Sequence, residues 1–570
     1  MSSMSTSPWI SQYDPGVAPD LEFESATVPE LVAKALETYA DRTALVFKNT
    51  SITYGELAQR IERFATALSR LGVEPGVSVA VHLPNLPQTV VAYQAALRLG
   101  ARVVLTNPMY TGREIVHQWN DAGCEVAVTA DFLFDRVIQP IRGELQLREI
   151  VITSIPDVLP APARWIAPLV LRRQNPPLWA KVRAEDHVHR YRELERRTPR
   201  RAPAPVTDLD EIAVLQYTGG TTGLSKGAML THRNLSSNLQ QGAAWFSSSI
   251  KPGEQAVMLA CLPLFHSFGM TVTMNWGLSA GMKLVLIPNP RDIRSLLSAI
   301  EEHRVTFFPA VPAMFNAINQ HARSNPCDLS SLRVCVSGSA PIATDVMERF
   351  EELSGAPIVE GYGLSETSPV THCNPVGGRR RAGWVGLPVQ GTEARIADPE
   401  DSSVDLSPGE EGELLIRGPQ VMLGYHGQPA ETENVLRDGW FSTGDLAVMN
   451  EDGFFKIVGR KKDMINCSGF KVFPDEIDDV LMSHEDITEA ATIGVPHAKR
   501  GETVRSYVVQ REGAQLDEEQ VKAWCKERLA PYKMPREVRF IDELPKSSVL
   551  KVLRRELRDQ AAAELASEGG

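Results

Sequence analysis

The sequence predicts an α/β protein: a large N-terminal unit of parallel-rich sheets covered by helices, followed by a small α+β unit. Three observations predict it. Short apolar strand patterns alternate with amphipathic helix patterns through the first third of the chain. The length, 570 residues, is more than one hydrophobic core usually serves. A Lys/Arg-rich break at "GRKKDMINCSGF" precedes a stretch with its own compact pattern. The spacing predicts an N-terminal domain over 1–458, a hinge at 459–462 and a C-terminal domain over 463–570.

The elements follow in order. "TYGELAQRIERFATALSRLG" opens with Thr53 and Glu56 spaced as a capping box. Leu57, Ile61, Phe64, Leu68 and Leu71 then share one helical face. "VSVAVHL" reads as a buried strand, "LPQTVVAYQAALRLG" as a helix and "ARVVLT" as a strand. "TGREIVHQWNDAG" reads as a helix and "CEVAVTA" as the next strand. Strands separated by helices of this length imply parallel pairing. The most apolar region, Ala256–Ile287, is interrupted by Pro263, His266 and Asn275, so it reads as a buried strand–helix–strand rather than a membrane span. Downstream of the break, "DEIDDVLMSHEDITEAATIGVP" and "DEEQVKAWCKERLAPYKMPREVRFI" supply the α+β unit.

Composition removes several classes. Hydrophobic content of 43% and charged content of 23% are ordinary for a globular protein. A net charge of -12 argues against nucleic acid as a partner. Seven cysteines without a C-x-x-C pair imply a reducing compartment and no zinc site. The N-terminus has no basic region followed by an apolar core, so a cytoplasmic location is expected.

One excursion breaks the pattern. From Arg164 to Arg201 there are 11 Lys/Arg against 4 Asp/Glu, with Trp165, Leu169, Val170, Leu171, Leu178 and Trp179 among them. It is either a solvated surface segment or a basic, aromatic-bearing patch that touches the inner face of an anionic membrane.

The stretch with most chemistry is "LQYTGGTTGLSKGAMLTHRNL", Leu215 to Leu235. Gly219, Gly220 and Gly223 leave backbone amides open to an anion. Thr218, Thr221, Thr222 and Ser225 add hydroxyls, and Lys226 adds charge. The order is not that of a P-loop, because Lys226 follows Ser225 and precedes Gly227. It closely resembles the phosphate-binding signature of adenylate-forming enzymes: acyl-CoA synthetases, adenylation domains and luciferases.

Other segments match the same superfamily. "EGYGLSET" resembles its adenine and magnesium motif, in Glu360, Gly361, Tyr362, Gly363, Ser365 and Glu366. The resemblance implies that Tyr362 stacks on adenine, Ser365 contacts the AMP phosphate and Glu366 ligates Mg2+. Gly338, Ser339 and Ala340 of "SGSAP" resemble the turn lining the nucleotide pocket. Asp445 of "STGDLA" would take the ribose hydroxyls, reinforced by Arg460. "DGWFSTGDLAVMNEDGFFKIVGRKKDM" is similar to the fatty acyl-CoA synthetase signature, close to the bacterial long-chain type. His266 of "PLFHSFG" would stand near the acyl carboxylate; its other reading is a hydrogen-bonded core histidine.

At the C-terminus, "PKSSVLKVLRREL" resembles the family's adenylation-lysine motif, with Lys551 in register. Leu550 replaces the usual Gly, and at a positive φ a Leu costs about 1–2 kcal/mol. Lys546 is the other candidate.

The resemblance implies a ligase joining a fatty acid to coenzyme A through an acyl-adenylate, with ATP cleaved to AMP. Lys551, Glu366 and Thr218 would be catalytic. The small domain would be mobile, rotating at Lys462 to bring Gly469 toward the coenzyme A arm, while Cys467 only packs. An acyl-AMP ligase, an aryl- or medium-chain acid ligase and a non-catalytic acyl-nucleotide binding protein stay open, as does a homodimer.

Overall fold

The computed structural model describes residues 7–218, 225–467, 470–497, 501–547 and 551–568. The strands of these residues form four sheets. The first has the order Leu387–Pro388, Val370–Cys373, Ile358–Gly363, Val334–Ser337, Phe307–Ala310, Val257–Ala260, Lys283–Leu286, Thr43–Phe47, Thr50–Thr53. It is parallel through its middle and antiparallel at both ends. The second runs Gly424–Tyr425, Lys226–Thr231, Ile212–Thr218, Arg102–Leu105, Ser78–His82, Cys124–Ala130, Glu149–Thr153, Val188–Arg190. All its pairs are parallel except the two beside Lys226–Thr231.

The helices form where the pattern places them. Thr53 accepts the Glu56 N–H at 3.1 Å and its own N–H donates to the Glu56 carboxylate at 3.0 Å, closing the capping box. The helix Tyr54–Arg70 buries Leu57, Ile61, Phe64 and Leu68. The helix Pro87–Arg98 is buried from Pro87 to Leu97, which explains an apolar pattern on every side. Its Tyr93 and Gln94 meet Asn275 at 3.0 and 3.3 Å, so a helix of the second sheet touches a segment of the first. Asn275 belongs to Ala256–Ile287, which is strand, helix and strand as expected, but the helix over Gly269–Asn275 is a wide π-helical turn. Among the described residues no helix is long and apolar enough to cross a membrane.

The third sheet is entirely antiparallel, and here the parallel expectation does not extend. Glu393–Ala397, Glu411–Arg417 and Trp440–Met449 lie side by side, with Leu436–Arg437 and Phe455–Arg460 also on Trp440–Met449. The turn "NEDG" between Trp440–Met449 and Phe455–Arg460 is too short for a parallel crossover.

The fourth sheet holds Phe470–Val472, Ile465–Cys467, Gly501–Gln510 and Ile487–His497, with Glu537–Phe540 parallel to Gly501–Gln510. Its two apolar clusters begin at Ile465 and Ala491, whereas the main core ends at Phe455 with Ile457 packed on it. Cys467 is buried in the first of these clusters. The expected hinge at 459–462 is half strand, because Gly459 pairs with Leu446 and Arg460 with Asp445. Ladder pairing stops after Arg460 and resumes at Ile465.

Candidate active site

Parallel strands bring their carboxyl ends to one edge of a sheet, which is where open α/β folds gather ligand-binding loops. Ile212–Thr218 of the second sheet ends at Thr218, and Val257–Ala260, Val334–Ser337 and Ile358–Gly363 of the first are followed by the His266 loop, Gly338–Pro341 and Ser365–Glu366 respectively. Ser267 Oγ and Ser365 Oγ are 3.3 Å apart. Gly338 faces the Phe268 ring, which a Cβ there would meet at 3.0 Å. At Gly363 a Cβ would lie 1.9 Å from the Pro369 carbonyl oxygen, so only glycine lets the strand turn there toward Glu366. Ser339 is held at φ 71°, a left-handed backbone at the exposed lip of the pocket, next to Ala340.

Glu366 lies beside Thr218 and Tyr425. Its Oε1 accepts the Tyr425 hydroxyl at 2.9 Å and the Thr218 hydroxyl at 3.5 Å. Burial first, then the Glu366 charge, raises the Tyr425 pKa, so the phenol stays a donor. Lys226 opens the strand Lys226–Thr231 and pairs with Glu431 at 2.5 Å. The Ser225 carbonyl takes a 2.9 Å contact from His117 Nε2. Gly219, Gly220, Thr221, Thr222 and Gly223 lie outside the described residues, as do Gly469 and Leu550.

Asp445 is 3% exposed. Its Oδ2 accepts the Tyr362 hydroxyl at 2.6 Å and its Oδ1 meets Arg460 Nε at 3.1 Å. Each oxygen keeps a lone pair for another donor. The register Asp445↔Arg460 is what sets this pair, which is why Arg460 must stay in its strand. The Tyr362 hydroxyl is committed to Asp445 and its ring lies edge-on to His372, 5.9 Å between centroids. Glu360 is turned inward: its carboxylate accepts the Gly383 N–H at 3.0 Å, and burial raises its pKa to about 8. Gly361 backs onto the His372 carbonyl.

The C-terminal unit reaches this site. The Ser547 N–H donates to the Lys551 carbonyl at 2.8 Å, and the Lys551 N–H donates to Ser547 Oγ at 3.2 Å. Lys551 keeps exposed surface, and its ammonium lies within electrostatic reach of Asp445, Arg460, Lys462 and His266. Enclosure first, then the Arg460 charge, brings its pKa down to about 8. Burial, then Lys551, brings the His266 pKa down to about 4, so that imidazole is neutral. His266 Nδ1 accepts the Phe268 N–H at 3.3 Å, which bends the loop at the start of the π-helical segment. The alternative lysine, Lys546, is tied instead to Glu489 within the C-terminal unit. Lys462 lies between two anchors on opposite sides. Lys461 holds Glu413 of the third sheet at 3.1 Å, and Asp463 pairs with Arg558 of the C-terminal helix.

Behind the His266 loop is an apolar cavity of about 20 Å3 lined by Leu239, Gly242, Trp245, Thr271, Val272 and Trp276.

Residues 32–426 match the model of the AMP-binding enzyme family, and residues 476–551 match the AMP-binding enzyme C-terminal domain. The chain belongs to the AMP-binding enzyme family. It is 39% identical to a long-chain-fatty-acid–CoA ligase of Bacillus subtilis (strain 168), over 98% of each chain. It is 38% identical to that of Escherichia coli O157:H7, over 98% of this chain and 99% of the relative. A feruloyl-CoA synthase of Amycolatopsis is 34% identical over 90% of this chain and 95% of its own. Among solved structures, ATP-bound MatB of Rhodopseudomonas palustris is 30% identical and superposes with a TM-score of 0.80, covering 94% of this chain and 99% of its own. Apo MatB, with the same identity and coverage, superposes at 0.70.

Three site neighbours of this AMP-binding enzyme escape a reading of its sequence. Tyr425 and Glu431 lie in a stretch without Gly-rich or charged patterning, and only the pairing of Gly424–Tyr425 with Met229 and Ala228 brings them to Lys226. Ser267 is one hydroxyl in an apolar run; its meaning comes from Ser365 opposite.

Proposed function

We propose that this chain is an ATP-dependent, AMP-forming fatty acid–CoA ligase acting on long-chain acids. The observation that supports the reading is that Lys551 lies within electrostatic range of His266, Asp445 and Arg460, as a cation serving adenylation would. The relatives named long-chain-fatty-acid–CoA ligases span the whole chain and support the substrate class.

The chemistry follows from the site. Asp445 receives the ribose hydroxyls with Tyr362 and Arg460 fixing its oxygens. Tyr362 offers the face for adenine, with Gly338, Ser339, Ala340, Gly361 and Gly363 lining the pocket. Ser365, beside Ser267, donates to the α-phosphate, and Lys226 with the glycine–threonine loop takes the β- and γ-phosphates. The acyl carboxylate oxygen attacks the α-phosphorus, the bond to the bridging oxygen breaks, and diphosphate leaves. Lys551 stabilises charge growing on the α-phosphate oxygens. A neutral His266 leaves the acyl carboxylate its charge and nucleophilicity. Among the described residues no three metal-ligating side chains gather, but Glu366 and Thr218 are hard oxygen donors that suit Mg2+ shared with substrate phosphates, where it would offset their charge. In the second step the coenzyme A sulfur attacks the acyl carbonyl and AMP departs. Rotation about Lys462, between the Lys461 and Asp463 anchors, would exchange Lys551 for the Gly469 turn.

The apolar cavity is the entry for the acyl chain. At about 20 Å3 it holds little more than one water, so Trp245 and Trp276 must move for a long chain to pass. The aryl-acid reading draws on the feruloyl-CoA synthase relative.

An anionic membrane is the further partner we propose. The helix Ala163–Leu171 exposes Trp165, Ile166, Leu169 and Val170 on one face and is anchored by buried Leu171. Between Val158 and Ala184 there are five Lys/Arg and no Asp/Glu, in a chain whose net charge is -12. Replacing Trp165 and Leu169 by Ser should release the protein from vesicles containing phosphatidylserine, in a flotation assay, and leave adenylation of a soluble short acid unchanged. Vesicle binding equal to the original would remove this partner.

The test of the function is product analysis with laurate, palmitate, benzoate and ferulate, with and without coenzyme A. Thioester and AMP with the fatty acids are expected. ADP as product would overturn the reading, and turnover of ferulate alone would favour the aryl one.

A further inference from the structure

Lys226 does not wait unpaired. Its ammonium is 2.5 Å from Glu431 Oε2 and 5.4 Å from the centre of the Tyr425 ring. The arrangement is built in. Strand Gly424–Tyr425 pairs with Met229 and Ala228, and the His426 N–H donates to the Gly227 carbonyl at 2.8 Å. The Tyr425 N–H donates to Thr432 Oγ1 at 2.9 Å, which fixes the start of the helix Pro429–Val435 above the lysine. Through Tyr425 the same short segment also holds Glu366, so it touches both charges expected to handle the phosphates.

The two partners differ in exposure. The Lys226 side chain is 15% exposed, whereas that of Glu431 is 43% exposed. An ammonium that enclosed keeps a counterion, because the loss of hydration must be compensated. A carboxylate that open can swing into water and be solvated again. When a polyphosphate reaches Lys226, both anions want one cation, and the half-exposed one yields more easily.

We propose that Glu431 is a displaceable counterion: it holds Lys226 when no polyphosphate is bound, competes with the β,γ-phosphates for it, and thereby weakens nucleotide binding and speeds diphosphate departure. This rests on the reading of Lys226 as a phosphate ligand. Glu431 is a positioning residue, since it acts through the lysine. A merely structural ion pair makes the opposite prediction, because its loss would loosen Lys226 and weaken phosphate binding.

The test is calorimetric titration of the full chain with inorganic pyrophosphate, ATP and AMP. Glu431→Gln should tighten pyrophosphate and ATP about two- to fivefold, the range set by partly exposed ion pairs. AMP, which lacks the β,γ-phosphates, should bind as before. Glu433→Gln removes the same charge from an exposed position of the same helix and should change none of the three affinities. In a Lys226→Gln background the Glu431→Gln gain should vanish. Unchanged or weaker pyrophosphate binding by Glu431→Gln overturns the proposal, and so does equal tightening by Glu433→Gln, which would make the effect one of bulk charge. If Lys226→Gln alone leaves pyrophosphate affinity intact, the phosphate reading of the lysine falls and takes the counterion role with it.

Discussion

At the residue scale, Lys551 makes a pH-dependent claim. Its pKa is brought down to about 8 by enclosure first and then by Arg460. Only the protonated ammonium stabilises the α-phosphate charge, so raising the pH through about 8 removes the useful form. The adenylation kcat/KM should therefore fall about tenfold per pH unit above that point, because kcat/KM reports the free enzyme. Bound polyphosphate favours the ammonium, so the same limb in kcat should lie at higher pH. Lys551→Arg should move the limb out of range, and Lys551→Ala should slow adenylation about 10²–10³-fold and flatten the profile. A profile unchanged in Lys551→Ala would place the titration elsewhere. The sequence proposes Lys551 from the register of "KVLRREL", and the structure ties the other candidate, Lys546, to Glu489. The lowered pKa of Lys551 was not legible, because it comes first from enclosure by the folded chain and then from Arg460 in another part of the sequence. Glu431 and Tyr425 were hidden for the same reason: a contact across about 200 residues leaves no local pattern, and the sequence separation of Lys226 and Glu431 is 205.

At the element scale, the helices and strands of the first third stand where periodicity and capping put them, since each is specified by residues a few positions apart. The third sheet was not legible as antiparallel, because strand direction depends on connection length rather than on the strands. The π-helical turn over Gly269–Asn275 was read only as helix; its neighbours on the opposite side are Leu239, Gly242 and Trp245 of the helix His232–Trp245. These two elements enclose the apolar cavity, and that gives a prediction. Gly242 lines the cavity and a Cβ there meets nothing within 4 Å, so the first carbon of a larger side chain is accommodated while the rest of it competes for the acyl chain's proposed entry. Gly242→Leu should spare hexanoate and lose palmitate, with the ratio of their kcat/KM values shifting by about tenfold or more toward hexanoate. One buried methylene contributes about 0.8 kcal/mol, so blocking a few suffices. An unchanged chain-length profile would show that the acyl chain takes another route.

At the scale of the whole molecule, two units with separate cores both contribute to the proposed nucleotide site. The main core ends with Phe455 and Ile457, the C-terminal cores begin at Ile465, and Lys551 crosses back to Asp445 and His266. If Lys551 serves adenylation from this position, thioester formation would need a second arrangement of the two units. The proposed rotation would fall at Lys462. Arg460 is bound into its strand by the Asp445 register, Lys461 is held by Glu413, and Asp463 is held by Arg558, which leaves Lys462 between anchors of opposite units. Pro at 462 fixes φ and removes freedom where the turn must change. Lys462→Pro should leave acyl-adenylate formation within a few-fold of the original and slow conversion of supplied acyl-adenylate and coenzyme A by roughly tenfold or more, if domain rotation gates that step. Lys551→Ala should show the reverse bias. The two half-reactions are timed separately, the first by pyrophosphate release and the second from synthetic acyl-adenylate. Equal impairment of both steps by Lys551→Ala, with neither step touched by Lys462→Pro, would mean that one fixed arrangement of the two units performs both reactions.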